Sequence, residues 1–505
     1  MKTKLLSLIL ALSMLVPLAA CSNDSGTPDD TAASGGDTAA VTGETTTADP
    51  NDRTQIKDNL PDNLNFNGTE IHVLYRGTDA TSAIYTHDVG GTDNAGDPVT
   101  DAVWARNRKV EQRLGVVFKD TATNAGGLAT TAEFVKQLVM AGSDEYDYII
   151  STGNTNVTNS INAYLRDLSN APYIDYDQPW WWTDSIDALS LDGKTYNYIL
   201  GDMLVYCYLQ TGVLFCNKQM YENLYGDPDA LYQLVLDGKW TLDKMIELSA
   251  GTYKDVDGDG TENKGDHFGC YLGSTYIPYF YVGMDIDMYH RDDKGNMIID
   301  IDAETASLAT EKMCRFYTES GGILQAKNAN EAIEYFASGK MLFLPATFQS
   351  AISAVIRDME HPYGLVPYPK LHEEQKDYVS LIHSSSTNIS IMKSVPDTRM
   401  EAIGAALEAL CAESYRTVMP LFLDSALQFK YSPDQKSGQV VNLVIAGVTK
   451  NTLDEYTAFT SNIFKNCLTM PIYGSTNFAS AYAQYKDAAQ NTWNTSVEAA
   501  LKGSE

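Results

Sequence analysis

Residues 238–269 read GKWTLDKMIELSAGTYKDVDGDGTENKGDHFG. Within them, carboxylates stand at positions 1, 3, 5 and 12 of a twelve-residue loop, 255–266, with Gly260 at position 6. This is the spacing of an EF-hand calcium loop, except that position 12 is Asp266 rather than Glu. A hard cation needs six or more oxygens at about 2.3–2.6 Å, so acidic side chains must alternate along a turn that glycine permits. The expected ligands are Asp255, Asp257, Asp259, the carbonyl of Thr261, Asn263 (through a water) and Asp266, and the expected ion is structural calcium. Asp266 is one carbon shorter than Glu, which weakens its bidentate grip. The same spacing also suits an Asx-turn loop that holds no ion.

The flanks of this loop contain Asn217-Lys218 after an apolar run, Gly238-Lys239-Trp240-Thr241 before a helix, and Asp266-His267-Phe268-Gly269. Farther on lies Tyr363-Gly-Leu-Val-Pro-Tyr-Pro-Lys370. In this order they resemble the bacterial extracellular solute-binding lipoproteins of family 1, the carbohydrate-binding components of ABC importers. The resemblance spans nearly all of residues 65–500. It implies an α/β fold of two lobes, of the periplasmic-binding-protein type II class, with a ligand cleft between them. It further implies a monomer that delivers a carbohydrate to permease subunits and performs no catalysis.

The chain has 505 residues, 44% of them apolar and 20% charged, which suits a globular protein of two or three domains. Its formal charge is −30, or −32 once Lys2 and Lys4 are removed with a leader. That balance repels nucleic acid and disfavours an anionic polymer as ligand. Residues 1–20 read as an export signal: two lysines, then an apolar run too short for a stable membrane anchor. Leu18-Ala19-Ala20-Cys21 looks like a lipobox, which implies cleavage before Cys21 and lipid on its thiol and amino group. Residues 22–52 are small and polar and cannot bury a core, so 21–62 is expected as a tether spanning on the order of 30 Å. Together these imply an extracytoplasmic protein anchored to the membrane through lipid. Cys207, Cys216, Cys270, Cys314, Cys411 and Cys467 show no metal spacing and read as buried thiols.

Strands at 70–75, 116–118 and 146–150 alternate with helices at 101–114 and 131–141, the pattern of a mainly parallel sheet covered by helices. Ligands approach such sheets at the carboxyl ends of the strands, which points to Arg76 and Thr152. By the family pattern the chain crosses between lobes near Thr211-Gly212, near 345–348 and near 383–388. Lobe 1 is therefore expected from 63–211 plus 345–384, and lobe 2 from 212–344 plus 385–505. Trp181 and Trp182, from a run of three indoles, with Trp240 and Tyr276, are the expected stacking platforms for a sugar ring. Asp202 and Asn388 complete the expected polar contacts.

No P-loop, GxGxxG, GxSxG or HExxH motif occurs, and the histidines are dispersed. Two other classes remain beside the importer receptor: a secreted carbohydrate-active enzyme, and a surface binding or sensing protein without an importer.

Overall fold

The computed structural model describes residues 52–76, 86–90, 98–123, 128–263, 265–286, 288–319, 322–427, 435–449 and 455–504. The signal segment, Cys21 and the tether up to Asn51 lie outside the described residues. Ten strands carry the architecture: β1 (Thr69–Arg76), β2 (Val116–Thr123), β3 (Tyr148–Thr152), β4 (Tyr198–Ile199), β5 (Gly212–Asn217), β6 (Phe268–Tyr271), β7 (Ile323–Leu324), β8 (Met341–Thr347), β9 (Tyr363–Val366) and β10 (Thr387–Ser390). They form two five-stranded sheets, in the orders β2-β1-β3-β10-β4 and β9-β5-β8-β6-β7.

In the first sheet β1 pairs in parallel with β2 and β3, while β10 returns antiparallel between β3 and β4. Helices α1 (Pro98–Leu114), α2 (Leu128–Met140) and α3 (Gly153–Ile161) follow β1, β2 and β3 in turn. The apolar stripe of α1 is Val99, Val103, Val110 and Leu114, all buried. That helix ends at Gly115, whose φ of +60° only glycine adopts without strain.

In the second sheet β8 runs antiparallel to β5 and parallel to β6. Around it lie α4 (Leu242–Ala250), α5 (Ile277–Gly283), α6 (Ala303–Glu319) and α7 (Ala329–Ala337). The side chain of Thr241 caps α4 by accepting from the Lys244 N–H, and Asn328 caps α7 likewise through Glu331. Two long helices close the chain: α8 (Asp397–Glu413), packed on α1, and α9 (Phe478–Ser504), packed on both α3 and α6.

The strand pairing corrects the expected division of the chain. Residues 345–384 are expected in lobe 1, but Pro345–Thr347 continue β8, and β9 pairs with β5 in the second sheet. Residues 385–505 are expected in lobe 2, yet β10 lies in the first sheet and α8 packs on α1. Pro345 reads as a strand breaker in isolation. Here β6 pairs with β8 only as far as Phe343, so a missing N–H at 345 leaves no rung open on that side. The first crossing, at Thr211-Gly212, falls where expected.

All six cysteines beyond Cys21 are buried free thiols. A more consequential buried group is Glu408 of α8, fully enclosed beneath the tryptophan run. Its carboxylate accepts from Trp180 Nε1 at 3.1 Å, Trp181 Nε1 at 2.8 Å and the Asp175 N–H at 3.3 Å. Burial pushes its acid up to about 7 although these three donors oppose the shift. Below the ordinary value of 4.5 the group is protonated in both folded and unfolded chains. As pH rises towards 7, the unfolded chain ionises freely while the folded one resists, so up to about 3 kcal/mol of stability is lost. The melting temperature should therefore be higher near about pH 5 than near about pH 7.5, also in high salt, where surface repulsion is screened. Glu408→Gln should melt lower at both pH values, because its NH₂ confronts an indole N–H, and should show a shallower pH slope. An unchanged slope in that variant would refute the assignment.

Candidate functional site

Two of the segments that pass between the sheets touch one another. Thr211 and Ile382 form an antiparallel bridge, and the His383 N–H donates to the Gln210 carbonyl at 3.1 Å. Beside this junction lies a cleft of about 480 Å³. Gln210 and His383 line it from the crossings, Tyr276 and Tyr279 from the start of α5, Asn330 and Ile333 from α7, and Thr347 and Gln349 from the end of β8. Its other lining residues are Thr275, Ala329, Ser350, Ile352 and Ser353. None of these carries an aspartate, glutamate, lysine or arginine side chain.

The cleft's shape follows from local sequence. Gly212 opens β5, and a Cβ there would collide with the Tyr279 ring, so only glycine lets that ring lie against the crossing strand. Tyr279 stacks on Tyr368 (centroids 5.4 Å apart, planes at 27°) and faces His383 at 6.4 Å and 24°. Tyr276 stands 5.8 Å from Tyr279 at a tilt of 57°. Burial pushes the Tyr276 phenol up to about 12, so it is neutral and can donate a hydrogen bond at physiological pH. His383 Nδ1 accepts from the Ser385 N–H at 3.0 Å, which places the neutral imidazole's proton on Nε2. The Gln210 amide donates to the Tyr206 hydroxyl at 2.8 Å and to Gln349 Oε1, tying the first crossing to the second lobe.

Of the expected ligand contacts whose side chains are described, Tyr276 alone lines this cleft. Trp240 is completely buried, with its indole donating to the Pro367 carbonyl at 2.8 Å and packing on Phe343, so it is a core residue and not a stacking platform. Trp181 is held by Glu408 and is likewise unavailable for stacking. Trp182 is half-buried: its indole donates to Asp202 at 2.9 Å and its ring meets Tyr208 edge-on at 4.6 Å. Asp202 also accepts from the Tyr208 hydroxyl at 3.1 Å, and burial raises its acid to about 6. It braces Trp182 and Tyr208 rather than facing a cleft. Thr152 on β3 lies opposite Thr387, and Asn388 on β10 lies opposite Ser151; both are fully buried, and Thr152 Oγ1 meets Thr155 Oγ1 at 3.2 Å. These two hold the sheet together. Arg76 ends β1, opposite Thr123; its side chain and the loop at 77–85 lie outside the described residues.

Gln210, Asn330, Thr347, Gln349 and His383 line the cleft with polar groups although none was among the expected ligand contacts; Thr347 and His383 fall in the expected crossings. Tyr279 stands three residues beyond Tyr276, in the stretch Tyr276-Ile-Pro-Tyr279-Phe-Tyr281. The glutamines carry no local signal at all.

In the loop at 255–266, one carboxylate oxygen each from Asp255, Asp257 and Asp259 lies within 4.8 Å of the others. The Asn263 side-chain amide donates to Asp257 at 3.1 Å, to Asp259 at 3.0 Å and to the Thr261 carbonyl at 3.1 Å, so these oxygens converge on one point. Gly258 and Gly260, at φ +72° and +74°, make the turn, and their N–H groups donate to Asp255. Asp266 departs from the expected ligand set. It is completely buried and accepts from the Val256 and Asn263 N–H groups at 3.0 Å each, bracing the loop from inside.

No protein-family model matches the chain, and no curated protein matches it in sequence. Solved structures do match in shape. A cyclic α-maltosyl-1,6-maltose binding protein from Arthrobacter globiformis aligns with a TM-score of 0.54 at 12% identity, over 85% of this chain and 99% of that one. The chain has the two-lobed solute-binding-protein fold. The GacH receptor of Streptomyces glaucescens, solved unliganded and with acarbose, aligns at 0.52 and 14% identity, over 85% and 99%. UgpB from Mycobacterium tuberculosis, solved with glycerophosphocholine, aligns at 0.50 and 15%, over 79% and 97%. In this chain the cleft is lined from the two crossing segments and from elements around the second sheet.

Proposed function

We propose that the protein is an extracytoplasmic receptor that captures a neutral carbohydrate in the cleft beside Tyr276 and Tyr279 and delivers it to an ABC-type permease. The observation that carries this is the cleft's lining: aromatic rings, amides and hydroxyls, with no carboxylate, ammonium or guanidinium among the described residues that line it. A sugar buries its C–H face on an aromatic ring and exchanges hydrogen bonds with neutral donors and acceptors at its edge. Each such bond contributes a net of about 0.5–1.5 kcal/mol, so several must act together. A ligand that touches the crossings and the second lobe at once favours the conformation in which they are close, and the permease would engage that form. The same lining disfavours the enzyme reading, because glycoside hydrolysis commonly requires two carboxyl groups flanking the scissile bond.

The ligand class and the role of the cleft are tested by a thermal-shift screen against neutral mono- and oligosaccharides. One glycan series should raise the melting temperature by several degrees, and Tyr276→Ala should weaken its binding about tenfold. Silence across the sugars, with a shift from peptides or other small solutes, would discard the carbohydrate assignment and keep the receptor.

Two features outside the cleft belong to the same proposal. Cys21 would carry the lipid anchor, with multiple acyl chains supplying the stable attachment that one chain cannot. Cys21→Ser should move the protein from the membrane fraction to the soluble fraction; retention at the membrane would count against the anchor.

The converging oxygens of Asp255, Asp257, Asp259 and Thr261 fit a hard cation, and Asn263 could turn its oxygen towards it. Calcium would hold the loop that joins α4 to β6 and so stabilise the second lobe. With a dissociation constant of about 10 μM and about 1 mM calcium, the gain is roughly 2.7 kcal/mol. EGTA should lower the melting temperature and Asp259→Asn should abolish that response. A melting temperature indifferent to EGTA would remove calcium from the account.

A further inference from the structure

A second cavity, of about 460 Å³, runs along the seam between α2 and α3 and shares no lining residue with the cleft. Two of its polar side chains are already occupied by their own helix. The Thr158 hydroxyl donates to the Asn154 carbonyl at 3.0 Å, and Asn162 Nδ2 donates to the Thr158 carbonyl at 2.7 Å. Asn159 differs. It is 1% exposed, and neither its Nδ2 nor its Oδ1 has a hydrogen-bond partner in the protein. A buried donor and acceptor left unmade destabilise the fold, whereas an apolar side chain of the same shape would cost nothing of the kind. Asn159 is therefore a poor choice for packing and a good one for holding a guest.

The surroundings say what kind of guest. Glu133 and Lys136, at the edge of the groove, pair with each other at 3.2 Å and cancel. The remaining lining is neutral, and the chain's charge of −30 repels anions. Tyr164 contributes a half-buried ring, fixed by its N–H donating to the Asn159 carbonyl at 2.9 Å and by its carbonyl accepting from Lys393 at 2.9 Å. A carboxamide offers one donor and one acceptor side by side. Vicinal hydroxyls, each able to donate and accept, answer both at once. The volume is close to that of the cleft.

We infer that the α2–α3 groove is a second binding site of this protein, taking one or two units of a neutral saccharide, with Asn159 as its central contact. This inference does not depend on the cleft being the transport site.

The purified protein would be titrated calorimetrically with maltose, cellobiose, lactose and xylobiose, as wild type, Tyr276→Ala and Asn159→Leu. A groove-binding sugar should still bind Tyr276→Ala and should lose about tenfold or more in affinity when Asn159→Leu is added. Asn159→Leu itself should melt no lower than wild type, since it removes an unpaired buried amide. If it fails to fold, Ala132→Trp fills the groove from α2 and should give the same loss. Identical isotherms with and without the groove substitutions would overturn the inference and leave the cleft reading intact. Binding that survives Tyr276→Ala but not Asn159→Leu would establish the groove, whatever becomes of the cleft. A site that takes acetyl-glycyl-glycinamide and none of the sugars would overturn the saccharide assignment in favour of a peptide.

Discussion

The Thr211–Ile382 bridge is the contact on which the architecture turns. Two segments, far apart in sequence, pass between the sheets side by side and hydrogen-bond to each other. Because they are bonded, Gln210 and His383 arrive at the same place, and the cleft forms against them. The Gly212–Tyr279 approach is the second half of this constraint. A strand that begins with glycine lets an aromatic ring lie flat on it, and the ring then stacks on Tyr368 and faces the imidazole. A side chain at 212 would push that column out of the cleft and part the lobes at their junction.

The tryptophans and buried carboxylates show how the protein keeps its polar chemistry apart. Glu408 is surrounded by indole and backbone N–H groups, and Asp202 by an indole and a phenol. Carboxylates thus serve as internal clasps: Glu408 ties residues 175–181 onto α8, and Asp202 ties Trp182 to Tyr208, while none is found among the described residues that line the cleft. Clasps of this kind tolerate burial because each carboxylate accepts from two or more donors, although desolvation still shows in their raised acidity constants. The cleft, by contrast, offers groups that a neutral ligand can satisfy without leaving a charge stranded.

Much of the fold was legible because it depends on local periodicity. The strand at 70–75 and the helices at 101–114 and 131–141 depend on which residues alternate or repeat, and they appear in the structure within a few residues of their expected positions. The site was less legible. Trp240 and Trp181 have the chemistry of sugar platforms, yet an indole's role depends on what packs over it, and neighbours such as Phe343, Pro367 and Glu408 are more than a hundred residues distant. The glutamines of the cleft are indistinguishable from surface residues until Gln210 and Gln349 are brought together.

By itself, then, the sequence determined the α/β class and the glycine-permitted acidic loop at 255–266, since both are written in local pattern; the first crossing at Thr211-Gly212 was implied by the family resemblance. Only the tertiary structure decided which sheet receives β8, β9 and β10, because a buried apolar strand looks the same whichever neighbours it pairs with. It also decided that Asp266 turns inward, that Trp240 is core, and that an uncharged cleft stands beside the crossings. Each of these is set by contacts between residues that the chain's linear order keeps apart.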